Sequence, residues 1–138
     1  MSGSQSIMRF SQDIASAEPP PPLPARAYRA EVVGASIRPA ATSGVMYLNL
    51  QMRIPAEEYP ADYVDGDPDG TMIYYNRIQA SDSPQNRYRW RKAMERLGGP
   101  LSMEIDVNSL IGLWANVEVV HQEYEGEMRA QISKLLDA

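Results

Sequence analysis

A run of basic side chains between residues 86 and 97, NRYRWRKAMERL, is the strongest chemical feature of the sequence. It sets five cations around two aromatic rings, although the whole 138-residue chain has a formal net charge of -5. Cations contact phosphates and aromatic rings stack on bases, so this combination suits a polyanion such as a single nucleic-acid strand. Residues 71 to 97 carry six basic and two acidic side chains. Because a ligand responds to the local field, the net acidity does not exclude such contacts.

Catalytic and metal-binding chemistry finds little support in the sequence. The chain has no cysteine, which excludes thiolate nucleophiles and thiolate metal sites, and a single histidine excludes a multi-histidine metal cluster. His121 lies on an alternating segment, in phase with Val117 and Val119, and a lone strand histidine is far more often structural than catalytic. We therefore expect that the protein is not an enzyme and that it has no catalytic residue, cofactor or bound metal.

An acidic segment, DGDPDG at residues 65 to 70, matches the spacing with which a calcium-binding loop begins. The twelfth position of such a loop needs a bidentate Glu, and here it is Asn76. Pro68 stiffens the segment, and no helix is predicted on either side of it. A polar turn between two strands is the favoured interpretation.

The basic run lies on a well-bounded predicted helix. Ser83 suits an N-cap, Pro84 suits the first helical position, and Gly98-Gly99 supplies the stop, which predicts a helix of about 14 residues. The apolar side chains fall at i, i+3, i+4 and i+7 and form one buried stripe: Trp90, Ala93, Met94 and Leu97. The basic residues Arg89, Lys92 and Arg96 gather on the opposite side, as the solvated face of a helix also requires.

Strands account for most of the remaining chain. YRAEVVGASIR predicts a first strand with a bulge at Gly34, and VMYLNLQMRI alternates cleanly between apolar and polar residues. TMIYYNRI predicts a third strand, and a closing hairpin turns between residues 124 and 126. The order β-β-β-α-β-β is typical of the OB-fold, a five-stranded barrel. The predicted class is therefore mainly β, with a five-stranded OB-fold barrel.

The N-terminal segment has a different composition from the rest of the chain. Residues 1 to 24 are Ser-rich and end in EPPPPLP, which favours an extended polyproline conformation. We interpret residues 1–24 as a flexible, disordered or extended arm that acts as a tether, with a PxxP ligand as the alternative. Residues 25–138 form the OB-fold domain. No apolar stretch reaches the length of a bilayer span and no secretory signal is present, so we expect a cytoplasmic protein.

Four segments in combination resemble a known family over about residues 22 to 136: LPARAYRAEVVGASIRP, SGVMYLNLQMRI, RLGG, and LIGLWANVEVVHQEYEGEMRAQI. They resemble small phage proteins, often labelled as a domain of unknown function, that are similar to OB-fold single-stranded-DNA-binding proteins encoded near replication and recombination genes. The resemblance implies a protein that coats single-stranded DNA in the host cell cytoplasm during phage DNA replication or recombination. A phage recombinase, a polymerase or host replication proteins are the implied protein partners, and a homo-oligomer is left open.

OB-folds commonly bind single strands on their second and third strands and the adjoining loops. Tyr47 and Arg53 are expected to point outward from the second strand. Arg77 does not suit the core, so Tyr75, two residues before it, is predicted outward and Tyr74 inward. Arg38 joins these DNA-binding residues from the loop after the first strand. Arg89, Lys92 and Arg96 are secondary electrostatic contacts, because the OB-fold helix usually lies at the barrel end away from the ligand.

Two other functions remain open from the sequence. The protein could be an OB-fold interaction module that recruits a phage recombinase or polymerase through the proline-rich arm or through the acidic loop at residues 55–70. The net acidity and the glutamates of the closing hairpin favour that alternative. A minor virion component would share the barrel and would bind neither DNA nor a replication partner.

Overall fold

The computed structural model of the protein describes residues 6–137. These residues form one five-stranded antiparallel sheet and one α-helix, so the predicted mainly β class is confirmed. The order of elements is also the predicted one: β1 (Ala27–Pro39), β2 (Met46–Ile54), β3 (Thr71–Gln79), α1 (Pro84–Leu97), β4 (Trp114–Tyr124) and β5 (Glu127–Leu136).

The first strand, β1, organises the sheet because it pairs with two neighbours. Its first part, residues 27 to 31, pairs with β4, and residues 31 to 39 pair with β2. The register with β2 shifts between Val32 and Gly34, which confirms the bulge predicted at Gly34. A bulge bends a strand and increases its twist, so one long strand can serve both partners. The strand order is β3-β2-β1-β4-β5.

The two edges of the sheet are β3 and β5. These edge strands approach each other, but no hydrogen-bonded ladder joins them within residues 6–137. The sheet is therefore not closed, and the barrel stays a prediction.

The core lies on one face of β2 and its neighbours. Tyr47, Asn49, Gln51 and Arg53 are half-buried on the other face of the strand, which confirms the predicted alternation. Met46, at the start of the strand, is 41% exposed and lies outside the core. Burial of an aliphatic side chain stabilises a fold by about 1.5–3 kcal/mol. The inward side chains of β2 are at most 1% exposed: Leu48, Leu50, Met52 and Ile54.

The helix α1 begins and ends where its capping residues require. The Ser83 hydroxyl accepts from the Asn86 N–H at 3.1 Å, and Gly98 ends the helix with a left-handed φ of 75°. Trp90 packs against the core and donates its indole N–H to the Gln79 carbonyl at 2.8 Å. Ala93 and other members of the predicted stripe are buried. In the part of the chain that the structure describes, no helix has the length and apolar character needed to cross a membrane.

The closing hairpin also follows the sequence. Tyr124 pairs with Glu127 across a two-residue turn at Glu125 and Gly126. Both turn residues have positive φ, 50° and 82°, which is the type I′ geometry that matches the twist of the flanking strands.

The N-terminal arm joins the domain at Leu23. Residues 6–21 are exposed, and their regular structure is limited to a 3-10 turn at Ile14–Ser16. Leu23, in contrast, is 2% exposed within the core. The Tyr28 hydroxyl donates to the Pro24 carbonyl at 2.7 Å, and His121 Nε2 lies 2.8 Å from the Leu23 carbonyl. A carbonyl oxygen only accepts, so His121 donates through Nε2. This hydrogen bond links β4 to the end of the N-terminal arm.

Candidate nucleic-acid interface

A β-bulge in β3 determines which side chains of this strand face outward. Between Ile78 and Tyr75 the register with β2 gains one residue, so that Asn76 and Arg77 both lie opposite Asn49. An extra residue on one strand interrupts the alternation of side chains between the two faces. The side chains before and after the bulge therefore follow opposite phases.

The two adjacent tyrosines of β3 are consequently placed opposite to expectation. Tyr75 is 8% exposed and belongs to the core, whereas Tyr74 is 51% exposed. The predictions that Tyr75 points outward and Tyr74 points inward are wrong, because the two-residue spacing from Arg77 to Tyr75 runs across the bulge.

The outward side chains of β1, β2 and β3 form a continuous surface, which we call the strand face. Arg38 lies opposite Tyr47, and Gln51 lies opposite Tyr74. A groove of about 270 Å³ runs over this surface, and Tyr74, Gln51 and Arg38 contribute to its lining. The strand face consists of Arg38, Tyr47, Asn49, Gln51, Arg53, Met72 and Tyr74.

Tyr47 points outward from β2 as predicted, whereas Arg38 lies within β1 and not in the loop after it, because β1 extends to Pro39. Tyr47 is half-buried on the outer side of β2, and Arg38 is exposed near the end of β1. The Arg38 Nε donates to the Ser36 hydroxyl at 3.0 Å, which leaves the rest of the guanidinium available to a ligand. The pair therefore combines an aromatic ring with an accessible cation.

Arg53 is on the strand face as predicted, but it is engaged within the protein. Its Nη1 donates to the Asp69 carbonyl at 3.0 Å, and its Nη2 lies 3.6 Å from a Glu31 carboxylate oxygen. These contacts tie β2 to the loop before β3 and offset much of the arginine charge. Arg53 thus offers a phosphate less than Arg38 does.

The acidic loop, residues 55–70, is packed around a tyrosine. The Tyr59 hydroxyl bonds to the Asp67 carbonyl and to the Thr71 hydroxyl, both at 2.8 Å, and its ring meets Tyr63 edge-on at 5.2 Å. One Asp67 carboxylate oxygen accepts the Asp69 N–H at 2.9 Å. Within residues 6–137, no group of three or more potential ligand side chains is placed to hold a metal ion. The Gly70 N–H also donates to the Asp67 carbonyl at 3.0 Å, so residues 67 to 70 form a turn.

The basic side chains of α1 and Arg77 line a second pocket together. A pocket of about 400 Å³ lies between α1, β3 and β5, and we call it the basic pocket. Arg77 lines this pocket and does not line the groove over the strand face, although the sequence grouped it with the residues of that face. The cations that line the basic pocket are Arg77, Arg89, Lys92 and Arg96, and its aromatic members are Tyr75 and Tyr88.

Electrostatic effects in the basic pocket are visible at two residues. Burial raises the pKa of Tyr75 above its ordinary value, and the guanidiniums of Arg96, Arg77 and Arg89 oppose that rise. Arg96 Nε donates to a carboxylate oxygen of Asp137 at 3.0 Å. This hydrogen bond, with the charge of Arg96, lowers the pKa of Asp137.

Trp114 adds an aromatic ring that the sequence reasoning missed. It is half-buried on β4, opposite Glu31 of β1, and the Arg29 guanidinium lies 5.5 Å from its ring centroid. The signal was present in the sequence, since Ala115 and Val117 alternate inward and Trp114 precedes them. The outward direction of Tyr74 carried no such signal. The direction of this side chain was inferred from the spacing to Arg77, and the bulge that interrupts this spacing is a property of strand pairing.

The arrangement can stack bases on aromatic rings and contact phosphates with cations. Comparison with known proteins adds no assignment to this geometry, because no protein-family model matches the chain and no curated protein sequence matches it.

Proposed function

We propose that the protein binds single-stranded DNA on the strand face, by base stacking and backbone charge and without a base code. The observation that carries the proposal is the placement of Tyr74. Its ring is half exposed on the edge strand, opposite the Gln51 amide, and it borders the groove that Arg38 also lines. A stacked base contributes about 1–3 kcal/mol to binding.

The chemistry around Tyr74 supports the same ligand. Met72 is 46% exposed beside it, and the Asn49 and Gln51 amides offer both donors and acceptors. Apolar and amide groups suit bases, and Arg38 suits a phosphate. Glu31 of β1 lies 3.6 Å from Arg53 through its carboxylate, which reduces its repulsion of a phosphate.

The strand connectivity supports an OB-fold as the framework. The long bent β1 pairs with both β2 and β4, and α1 connects β3 to β4. The edge strands β3 and β5 approach each other, as closure into a five-stranded barrel requires. In that fold the β2–β3 surface is the common oligonucleotide site.

The biological setting rests on the family resemblance of the sequence. It suggests a phage protein that acts in DNA replication or recombination in the host cytoplasm. The residues proposed to bind DNA are Tyr47, Tyr74, Arg38 and Arg53, with Arg77 and the helical cations outside the stacking surface.

The proposal is tested by fluorescence-anisotropy titration of a labelled thymidine oligomer of about 30 nucleotides, at several salt concentrations and with a duplex competitor. We expect the thymidine oligomer to stay bound when the duplex competitor is added. The logarithm of the affinity should fall with the logarithm of the salt concentration by about 0.7 for each phosphate contact. Absence of binding at low salt would remove this function.

A matched pair of variants tests the site. Tyr74→Ala should weaken binding about 5- to 150-fold, the equivalent of one lost stacked base. Tyr124→Ala removes a ring of similar exposure, 55%, from the β4–β5 hairpin and should leave the affinity unchanged. Equal affinities for both variants would place the binding surface elsewhere.

Protein–protein interaction is the second candidate, favoured by the apolar residues of the arm. Ile7, Met8, Phe10 and Ile14 are each at least 60% exposed. Clustered exposed apolar side chains commonly mark an interaction site. The variant I7S/M8S/F10S/I14S should keep the DNA affinity of wild type. It should lose binding to a purified phage recombinase or polymerase, if wild type binds that enzyme. If wild type binds neither enzyme, this candidate is excluded.

A further inference from the structure

The basic pocket gathers four cations from two elements that are distant in sequence. Arg89, Lys92 and Arg96 follow each other at i, i+3 and i+7, so they share one side of α1. Arg77 lines the same pocket from β3, two residues after the buried Tyr75. The cationic lining is thus shared between a strand and the helix.

Few carboxylates offset this charge. Within residues 6–137 no acidic side chain lines the basic pocket, and the ion pair made by its cations is the single one between Arg96 and Asp137. Asp137 is 79% exposed at its side chain, and exposed ion pairs are weak. In contrast, Arg87 and Arg91, on the other side of α1, are paired with Asp82 and Glu95. All of these ion pairs are exposed and weak, so the contrast lies in their number: both cations on the far side of α1 have an acidic neighbour, and one of the four pocket cations has one.

The shape and chemistry of the pocket suit a phosphate group. Guanidinium groups bind phosphate oxygens through paired N–H donors, and a lysine adds a point charge. Tyr88 lies beside the cations, with the Lys92 ammonium 6.0 Å from its ring centroid. Tyr75 adds a phenol next to Arg77, and a neutral phenol can donate a hydrogen bond to a phosphate oxygen.

We propose that the basic pocket is a phosphate-binding site, and that it holds a backbone phosphate of a single strand whose bases lie on the strand face. The second part rests on the proposed function. A strand on Tyr74 reaches the pocket by passing over the β3 edge at Asn76 and Arg77, where both side chains are exposed. Two surfaces would then share one ligand, with stacking on one and charge on the other.

Two double variants with equal charge change test the pocket. R89Q/K92Q removes two cations from the pocket side of α1, and R87Q/R91Q removes two from the opposite side. Glutamine has a helix propensity close to that of arginine and lysine, so both variants should keep the thermal stability of wild type. Each protein is titrated with inorganic tripolyphosphate by calorimetry, and with thymidine oligomers of about 6 and about 30 nucleotides by anisotropy.

We expect wild type and R87Q/R91Q to bind tripolyphosphate and R89Q/K92Q to lose at least about tenfold in affinity. For the long oligomer, R89Q/K92Q should lower the salt slope by about 0.7, the value for one phosphate contact on a single strand. R89Q/K92Q should weaken binding of the short oligomer less than binding of the long one, because fewer phosphates of the short oligomer extend beyond the strand face. Asp137→Asn frees Arg96 and should strengthen tripolyphosphate binding by about two- to fivefold.

The outcomes separate this inference from the proposed function. Tripolyphosphate binding that depends on Arg89 and Lys92, without any oligomer binding, would support the phosphate site and overturn DNA as its source. Oligomer binding with equal salt slopes for both double variants, and no tripolyphosphate binding, would overturn the phosphate site and leave the strand face intact. Equal losses in both double variants would also overturn it, since general charge would then explain the effect.

Discussion

Tyr74 and Tyr75 are consecutive in the chain and lie on opposite sides of the sheet, with 51% and 8% of their surfaces exposed. Tyr74 belongs to the strand face, and Tyr75 packs in the core and lines the basic pocket. Arg77, two residues after Tyr75, lines the same pocket. Strand alternation at these two tyrosines thus separates a surface suited to stacking from a surface suited to charge.

The two tyrosines should differ sharply in their effect on stability. Tyr75→Ala removes a buried ring and should lower the free energy of unfolding by about 3 kcal/mol or more, whereas Tyr74→Ala should change it by less than about 0.5 kcal/mol. Urea unfolding followed by tryptophan fluorescence measures both. Similar values for the two variants would contradict the assigned faces.

Buried tyrosines should limit stability at high pH. Burial is the main cause that raises the pKa of Tyr28, Tyr63 and Tyr75 above the ordinary 10.0. The folded chain therefore retains these protons at pH values where the unfolded chain loses them. The stability that they contribute is complete below about pH 10 and is lost as pH rises through the folded pKa.

The measurement is urea unfolding at a series of pH values from neutral to alkaline. Tyr75→Phe should make the alkaline decline shallower, because one of the groups that cause it is gone. Tyr124→Phe removes an exposed hydroxyl from the hairpin and serves as the control. The stability of this variant should decline with pH as that of wild type does. An unchanged decline in Tyr75→Phe would show that this phenol does not contribute.

Element boundaries were predictable because their signals are local. Ser83, Pro84 and Gly98 act within one helical turn of the ends of α1, and the structure uses each of them as the sequence indicates. The alternation of β2 was predictable for a similar reason: its pairing with β1 stays regular from Gln51 to Met46. Such patterns depend on neighbours two to four residues away.

The directions in which the side chains of β3 point depend on how this strand pairs with β2. Met72, Ile73 and the two tyrosines place large side chains at consecutive positions, so the segment alone favours neither phase. The bulge is set by the register with β2, and the basic pocket forms only when Arg77 of β3 and the cations of α1 come together in the folded chain. Sequence reasoning therefore found the cations and missed their meeting point.

Gly66 should be essential for the packing of the acidic loop. A Cβ at this position would lie 2.5 Å from the Tyr59 ring and 2.6 Å from the Tyr63 ring. Gly66→Ala should therefore cost about 1–3 kcal/mol through overpacking. Val64→Ala, in the same loop at a residue 82% exposed, is the control and should cost less than about 0.5 kcal/mol.

Thermal unfolding of both variants measures these costs, and added calcium provides a second test of the loop. Asp67 already uses its carboxylate to accept the Asp69 N–H, and no helix flanks the loop, so calcium should leave the melting temperature unchanged. A rise in melting temperature with calcium would mean that the aspartates meet around an ion.

His121 should control how firmly the arm is attached. Its Nε2 donates to the Leu23 carbonyl at 2.8 Å, next to the Tyr28 hydroxyl bond to Pro24. His121→Ala removes this donor and should cost about 1 kcal/mol. We expect faster trypsin cleavage after Arg26, which lies between the anchored residues and β1.

Cleavage after Arg9, in the exposed part of the arm, serves as the internal reference because its rate should be the same in every variant. His121→Gln retains an N–H donor and should restore part of the protection. Leu23→Ala leaves a cavity in the core and should release the arm whether or not the histidine contributes. Protection of Arg26 that is lost in Leu23→Ala and kept in His121→Ala would assign the anchor to apolar burial alone.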